Sequence, residues 1–116
     1  SVSNLIRPGD YVDVLAAFDM EEIIDKNGMV KDLYPKTVYT IIQNSKVLAM
    51  GQDLDLESQK VTESYKTVTL AVSPKDAEKL VYAAEFGYLT LSLRNVADKN
   101  IESSTGTTHM DVLPER

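Results

Sequence analysis

Lys66–Arg94 reads KTVTLAVSPKDAEKLVYAAEFGYLTLSLR, and these residues decide the fold. Lys66 to Val72 alternates as a strand, with Val68, Leu70 and Val72 inward and Thr67 and Thr69 outward. Ser73 then offers a side-chain oxygen to free helix amides, Pro74 suits the first helical position, and Asp76 complements the helix N-terminus. The spacing predicts a helix over 74–86 that buries the stripe Ala77, Leu80, Val81 and Ala84. Gly87 is expected to stop it in a left-handed conformation. Tyr88 to Arg94 alternates again, with Leu89, Leu91 and Leu93 opposite Thr90, Ser92 and Arg94. This strand–helix–strand spacing permits a parallel crossover without requiring one.

Upstream, Arg7-Pro8-Gly9-Asp10 predicts a type II turn, because proline presets φ and glycine accepts the positive φ that follows. Tyr11 to Phe18 leaves it as a strand with Val12, Val14, Ala16 and Phe18 on one face. Residues 19–36 lose periodicity and read as an excursion from the core. Met20 to Ile24 could make a helical turn there, and Asp25-Lys26-Asn27-Gly28 is a turn or hairpin signal. Thr37 to Gln43 resumes β character, Asn44-Ser45 interrupts it, and Val47 to Met50 forms a second short strand. Gln52 to Ser64 is polar and acidic, the composition of a loop between strands. Beyond Asn95 the chain is polar and loose, with Met110, Val112 and Leu113 available to pin the end back.

The coarse reading is one α+β domain over residues 1–116, mostly β, with one well-capped helix. The 116 residues carry 43% hydrophobic and 26% charged side chains, the balance of a globular protein. Eighteen acidic against 12 basic residues leave a net charge of −6, and the cations are scattered, which argues against nucleic acid as a partner. No apolar run approaches the length of a membrane helix.

Chemistry is sparse. With no cysteine, disulfides, thiolate catalysis and cysteine metal sites are excluded. The single histidine, His109, lies in the polar tail with only Asp111 close by and reads as an exposed residue. Asp53, Asp55 and Glu57 alternate, yet they lack the glycine and terminal glutamate of a calcium loop. Asp25 to Gly28 lacks that loop's first acidic positions. Ser73 has no nearby base, and its place before Pro74 explains it as a cap. Gly51 and Gly87 are isolated and form no phosphate-binding loop. Six tyrosines, Tyr34, Tyr39, Tyr82 and Tyr88 among them, suit either a binding surface or a wet rim of the core. The residues thus describe an interaction module with no catalytic, metal or cofactor site and with its binding residues unknown.

Three stretches resemble one family. Leu5 to Ala16 (LIRPGDYVDVLA) resembles the segment after the SAF domain in CpaB/RcpC proteins of Flp (Tad) pilus assembly. Thr40 to Gln52 (TIIQNSKVLAMGQ) resembles that family's next strand pair. Thr67 to Pro74, Ala77 to Leu80 and Gly87 to Asn95 complete the pattern, so the likeness spans Leu5 to Asp98. The resemblance implies a β-clip-like small sheet and an extracytoplasmic domain of a membrane-anchored assembly factor. On that reading the chain is a fragment lacking the membrane helix and SAF domain. It would work as a non-catalytic protein-interaction domain, with other pilus-assembly proteins or a second copy of itself as partners. The alternative is a module that binds peptidoglycan or another carbohydrate and anchors the apparatus to the cell envelope. No catalytic residue is carried over, and residues 19–36 and the tail after Asp98 take no role from the family.

Overall fold

A computed structural model describes residues 5–54 and 64–113. The chain runs β1 (Tyr11–Phe18), β2 (Glu21–Ile24), β3 (Val30–Tyr34), β4 (Thr37–Leu54), β5 (Ser64–Leu70), α1 (Pro74–Phe86), β6 (Tyr88–Leu93) and α2 (His109–Val112). Four strands form a curled antiparallel sheet in the order β5-β4-β1-β6, and β2 and β3 form a separate hairpin. This is a mostly β α+β fold with one main helix.

The turn before β1 has the expected form. Gly9 takes φ 95°, and the Asp10 amide donates to the Arg7 carbonyl at 3.0 Å. The turn is also tied across to β4, where the Gly9 amide donates to the Val47 carbonyl and the Val47 amide to that of Asp10, both at 2.8 Å. On β1, Val12, Val14 and Ala16 are fully buried, as the alternation requires. Val12 packs with Ile6 and Val47, and Met50, Val68, Leu70 and Leu91 close around them. Full burial of a valine contributes about 1.5–3 kcal/mol, so this small cluster holds much of the fold together.

The interruption expected at Asn44-Ser45 is a bulge within one strand. Residues 37–54 run as a single strand of 18 residues, and Asn44 sits at φ 54° where the β1–β4 register shifts. The bulge bends β4, whose first half pairs with β1 and second half with β5. The buried Ser45 hydroxyl donates to the Ala71 carbonyl at 2.8 Å, holding the end of β5 against the bend. Among the described residues, no buried side-chain nitrogen or oxygen lacks a hydrogen-bond partner.

Three other expectations are corrected, and one question left open is decided. Met20 to Ile24 is not helical: residues 21–24 are strand β2, paired with β3 around a loop that Asp25 organises by accepting from the Asn27 and Met29 amides. The β-branched Ile23 and Ile24 favour that outcome. Residues 52–54 and Ser64 belong to β4 and β5, whereas the rest of the expected acidic loop lies outside the described residues. β5 and β6 lie at opposite sheet edges, each antiparallel to its neighbour, so no parallel crossover forms.

Finally, the tail is not pinned by Met110, Val112 and Leu113, which are all exposed. Polar groups hold it instead. Thr107 bridges Val38 through two backbone bonds of 2.8 and 2.9 Å, where β5 does not reach β4. Ser104 Oγ accepts from the Thr40 amide at 3.0 Å, and the Gln43 side-chain amide pairs with both backbone groups of Glu102.

Candidate interaction surface

The helix was legible in the position of its ends but not in its face. Ser73 Oγ accepts from the Asp76 amide at 3.1 Å and Pro74 opens the helix, as expected. The line turned inward is Asp76, Leu80, Ala83 and Gly87, at i, i+4, i+7 and i+11, with Ala83 only 1% exposed. Ala77, Val81 and Ala84 face outward, and Val81 is 71% exposed. Gly87 is not left-handed: its φ of −142° is ordinary extended backbone. Its requirement is space, because a Cβ there would lie 2.6 Å from the Ala17 carbonyl oxygen and 2.9 Å from the Phe18 ring.

The consequence is an apolar ridge on the outside of α1. Val81, Tyr82 and Phe86 are all more than half exposed, and Tyr88 follows them just past the Gly87 turn. Tyr82 and Phe86 stack at a tilt with ring centroids 4.9 Å apart. Phe18 reaches Tyr82 at 6.0 Å and Tyr39 at 6.4 Å, so the ridge is footed on the strands by a continuous row of rings. Glu78 and Glu85 border a shallow groove that runs along it. The β2–β3 hairpin offers a second apolar surface, with Met29, Leu33 and Tyr34 exposed. Single exposed apolar residues are common on any protein, whereas here the two stacked rings of α1 continue into Phe18 and Tyr39 of the sheet.

A polar cleft of about 310 Å³ lies at the root of the tail. Arg94 is its centre. The alternation puts it on the side of Thr90 and Ser92, yet unlike them it is enclosed, with a side chain only 10% exposed. Its Nε donates to Asp13 Oδ1 at 2.8 Å, and its two Nη atoms reach Asp98, the Asn100 carbonyl and Gln43. The hydrogen bond to Asp13 holds the guanidinium above its usual pKa, against the opposing cost of desolvation. Asp13 Oδ1 also accepts from the amide of Asn44 at 2.9 Å. The donors and acceptors here satisfy one another, so the cleft works as a structural lock. Composition alone gave no warning of it; the one available hint was an arginine ending an otherwise uncharged strand.

The other residues weighed for chemistry are dispersed. His109 opens the four-residue α2 and is exposed, with Asp111 spent on capping Thr108. Asp25 bonds its own loop. Among the described residues no three metal-ligating side chains converge, and the Asp53 to Glu57 side chains lie outside that set. Thr69, Thr90 and Ser92 face solvent, but Thr67 is half-buried, its hydroxyl against Gly51. No helix among the described residues is long and apolar enough to cross a membrane.

Comparison with known proteins agrees with the resemblance read from the sequence. No curated protein and no solved structure matches the chain. The family model described as Flp pilus assembly protein RcpC/CpaB, however, matches residues 1–94, from before the Pro-Gly turn to the arginine that closes β6. The chain belongs to the RcpC/CpaB family of Flp pilus assembly proteins.

Proposed function

We propose that this chain is a non-catalytic protein-interaction domain of the Flp pilus assembly apparatus, acting outside the cytoplasm as part of a membrane-anchored protein. The observation that supports the reading is the exposed row Val81, Tyr82 and Phe86 on α1. Burying such a row against a partner gains about 25 cal/mol for each Å² of apolar surface removed from water. Aromatic residues dominate the energetic centres of protein interfaces for this reason. The family assignment supplies the setting, since the described purpose of the family is pilus assembly. The lack of convergent chemistry around His109, Asp25 and Ser73 is consistent with work done by binding.

The ridge favours a protein over a glycan because its groove is lined almost wholly by apolar groups, whereas a sugar needs polar partners for its hydroxyls. Co-purification tests the choice directly. The domain should retain other components of the pilus apparatus when they are expressed together, and a Phe86→Asp variant should lose them. Retention by peptidoglycan in place of those components would overturn the reading.

A further inference from the structure

The sheet ends in an edge with none of the usual protection. Natural edge strands carry a lysine, a proline or a bulge that discourages further pairing. β6, Tyr88-Leu89-Thr90-Leu91-Ser92-Leu93, has no charge, proline or glycine, and its register with β1 is unbroken over all six residues. The Arg94 amide donates to the Tyr11 carbonyl at 2.8 Å, which fixes the phase of the ladder. Ser92, Thr90 and Tyr88 therefore exchange hydrogen bonds with β1, while the backbone groups of Leu89, Leu91 and Leu93 point to the open side. Among the described residues nothing pairs with those outward groups.

Deepening the protein-interaction reading on which it rests, we infer that a second copy of this chain pairs here, β6 against β6 in antiparallel register about a two-fold axis at Leu91. The strand is its own complement. That axis sets Leu89 opposite Leu93 of the second copy and Leu91 opposite itself, so leucine meets leucine and no like charges face each other. Leu89 and Leu93, 40% and 47% exposed, lose their contact with water. The two four-stranded sheets become one sheet of eight, a closed isologous dimer.

The cysteine-free chain allows a test of register. Leu91→Cys places two thiols across the axis, with Cα atoms about 5.5 Å apart in a hydrogen-bonded pair, inside the roughly 4.4–6.8 Å span of a disulfide. Leu93→Cys does not, because its copy lies four residues away, roughly 13 Å along the strand. Under mild oxidation the first variant should form a covalent dimer and the second should stay monomeric. Sedimentation of the unmodified chain should show a dimer at high concentration. Leu89→Lys with Leu93→Lys, on the exposed part of the strand, should abolish it, and Leu89→Glu with Leu93→Lys should restore it. Monomer mass at every concentration without an Leu91→Cys cross-link, or equal cross-linking at both positions, would overturn the inference. These measurements use purified protein, so their outcome is independent of binding to the pilus apparatus through α1.

Discussion

Arg94 Nε lies 2.8 Å from Asp13 Oδ1, joining residues 81 apart in sequence at the point where the sheet, its bulge and the tail meet. The same carboxylate oxygen holds the Asn44 amide, and the same guanidinium holds the Asn100 carbonyl. One ion pair thus fixes both the bend of β4 and the path of the tail.

Arg94→Lys should release the tail while leaving the sheet formed. Lysine keeps the charge but lacks the planar fork that reaches Asp13, Gln43 and Asn100 together. Faster hydrogen exchange at Glu102 and Thr107, with β1 still protected, is the expected result. Because the pKa of Arg94 is raised, its charged form favours the folded state, and its own deprotonation weakens the lock only above the ordinary guanidinium range. Deprotonation of Arg94 therefore gives no loss of stability on going from neutral pH to about pH 9.

Gly87→Ala should destabilise by about 1–3 kcal/mol, the usual cost of forcing a methyl into filled space. The cause is the 2.6 Å approach of the new Cβ to the Ala17 carbonyl oxygen, not the backbone angle. Thermal unfolding measures it, and a neutral result would show that Gly87 is not held this close to the Ala17 carbonyl.

Two neighbouring helix residues should behave in opposite ways. Leu80 is on the inward line and Val81 is outward. Leu80→Ala should cost about 2 kcal/mol, near the low end for a half-buried leucine. Val81→Ala should change stability by less than about 0.5 kcal/mol. Chemical denaturation of the two variants distinguishes this face from the stripe read off the sequence.

The difference shows where the sequence was readable. The start of α1 is legible because the Ser73 cap is local; its end is legible in position only, since Gly87 answers to the distant Ala17 and Phe18 and not to a left-handed turn. Its face is not legible, because alanines at 77, 83 and 84 lie on several sides, and only the sheet decides which is covered. The alternation of β1 was legible, since Val12, Val14 and Ala16 all point into one core. The continuity of β4 was not, because a bulge at Asn44 looks locally like a turn. The tail bonds of Gln43, Ser104 and Thr107 were invisible, as polar residues with distant partners have the composition of loops. The exposed ridge is hidden for a related reason: the 3.6-residue spacing puts Val81 on the stripe expected to be buried, and it is 71% exposed.

The β2–β3 hairpin should exchange its amides much faster than β1. A two-stranded hairpin is marginal in water unless another layer packs on it, and Met29, Leu33 and Tyr34 remain exposed. Native-state hydrogen exchange should rank Ile23 and Leu33 well below Val12 and Val14 in protection. Equal protection would mean that the hairpin folds as one unit with the sheet.

The central claim is that α1 carries a protein contact needed for pilus assembly, and Val81→Asp in the full-length protein tests it most directly. The side chain is 71% exposed, so the purified domain should melt near the unmodified temperature. An unpaired charge buried at an interface is costly, so cells carrying the variant should lose their pili. A variant that stays folded while piliation disappears is the predicted result; one that stays folded with normal piliation would contradict the account.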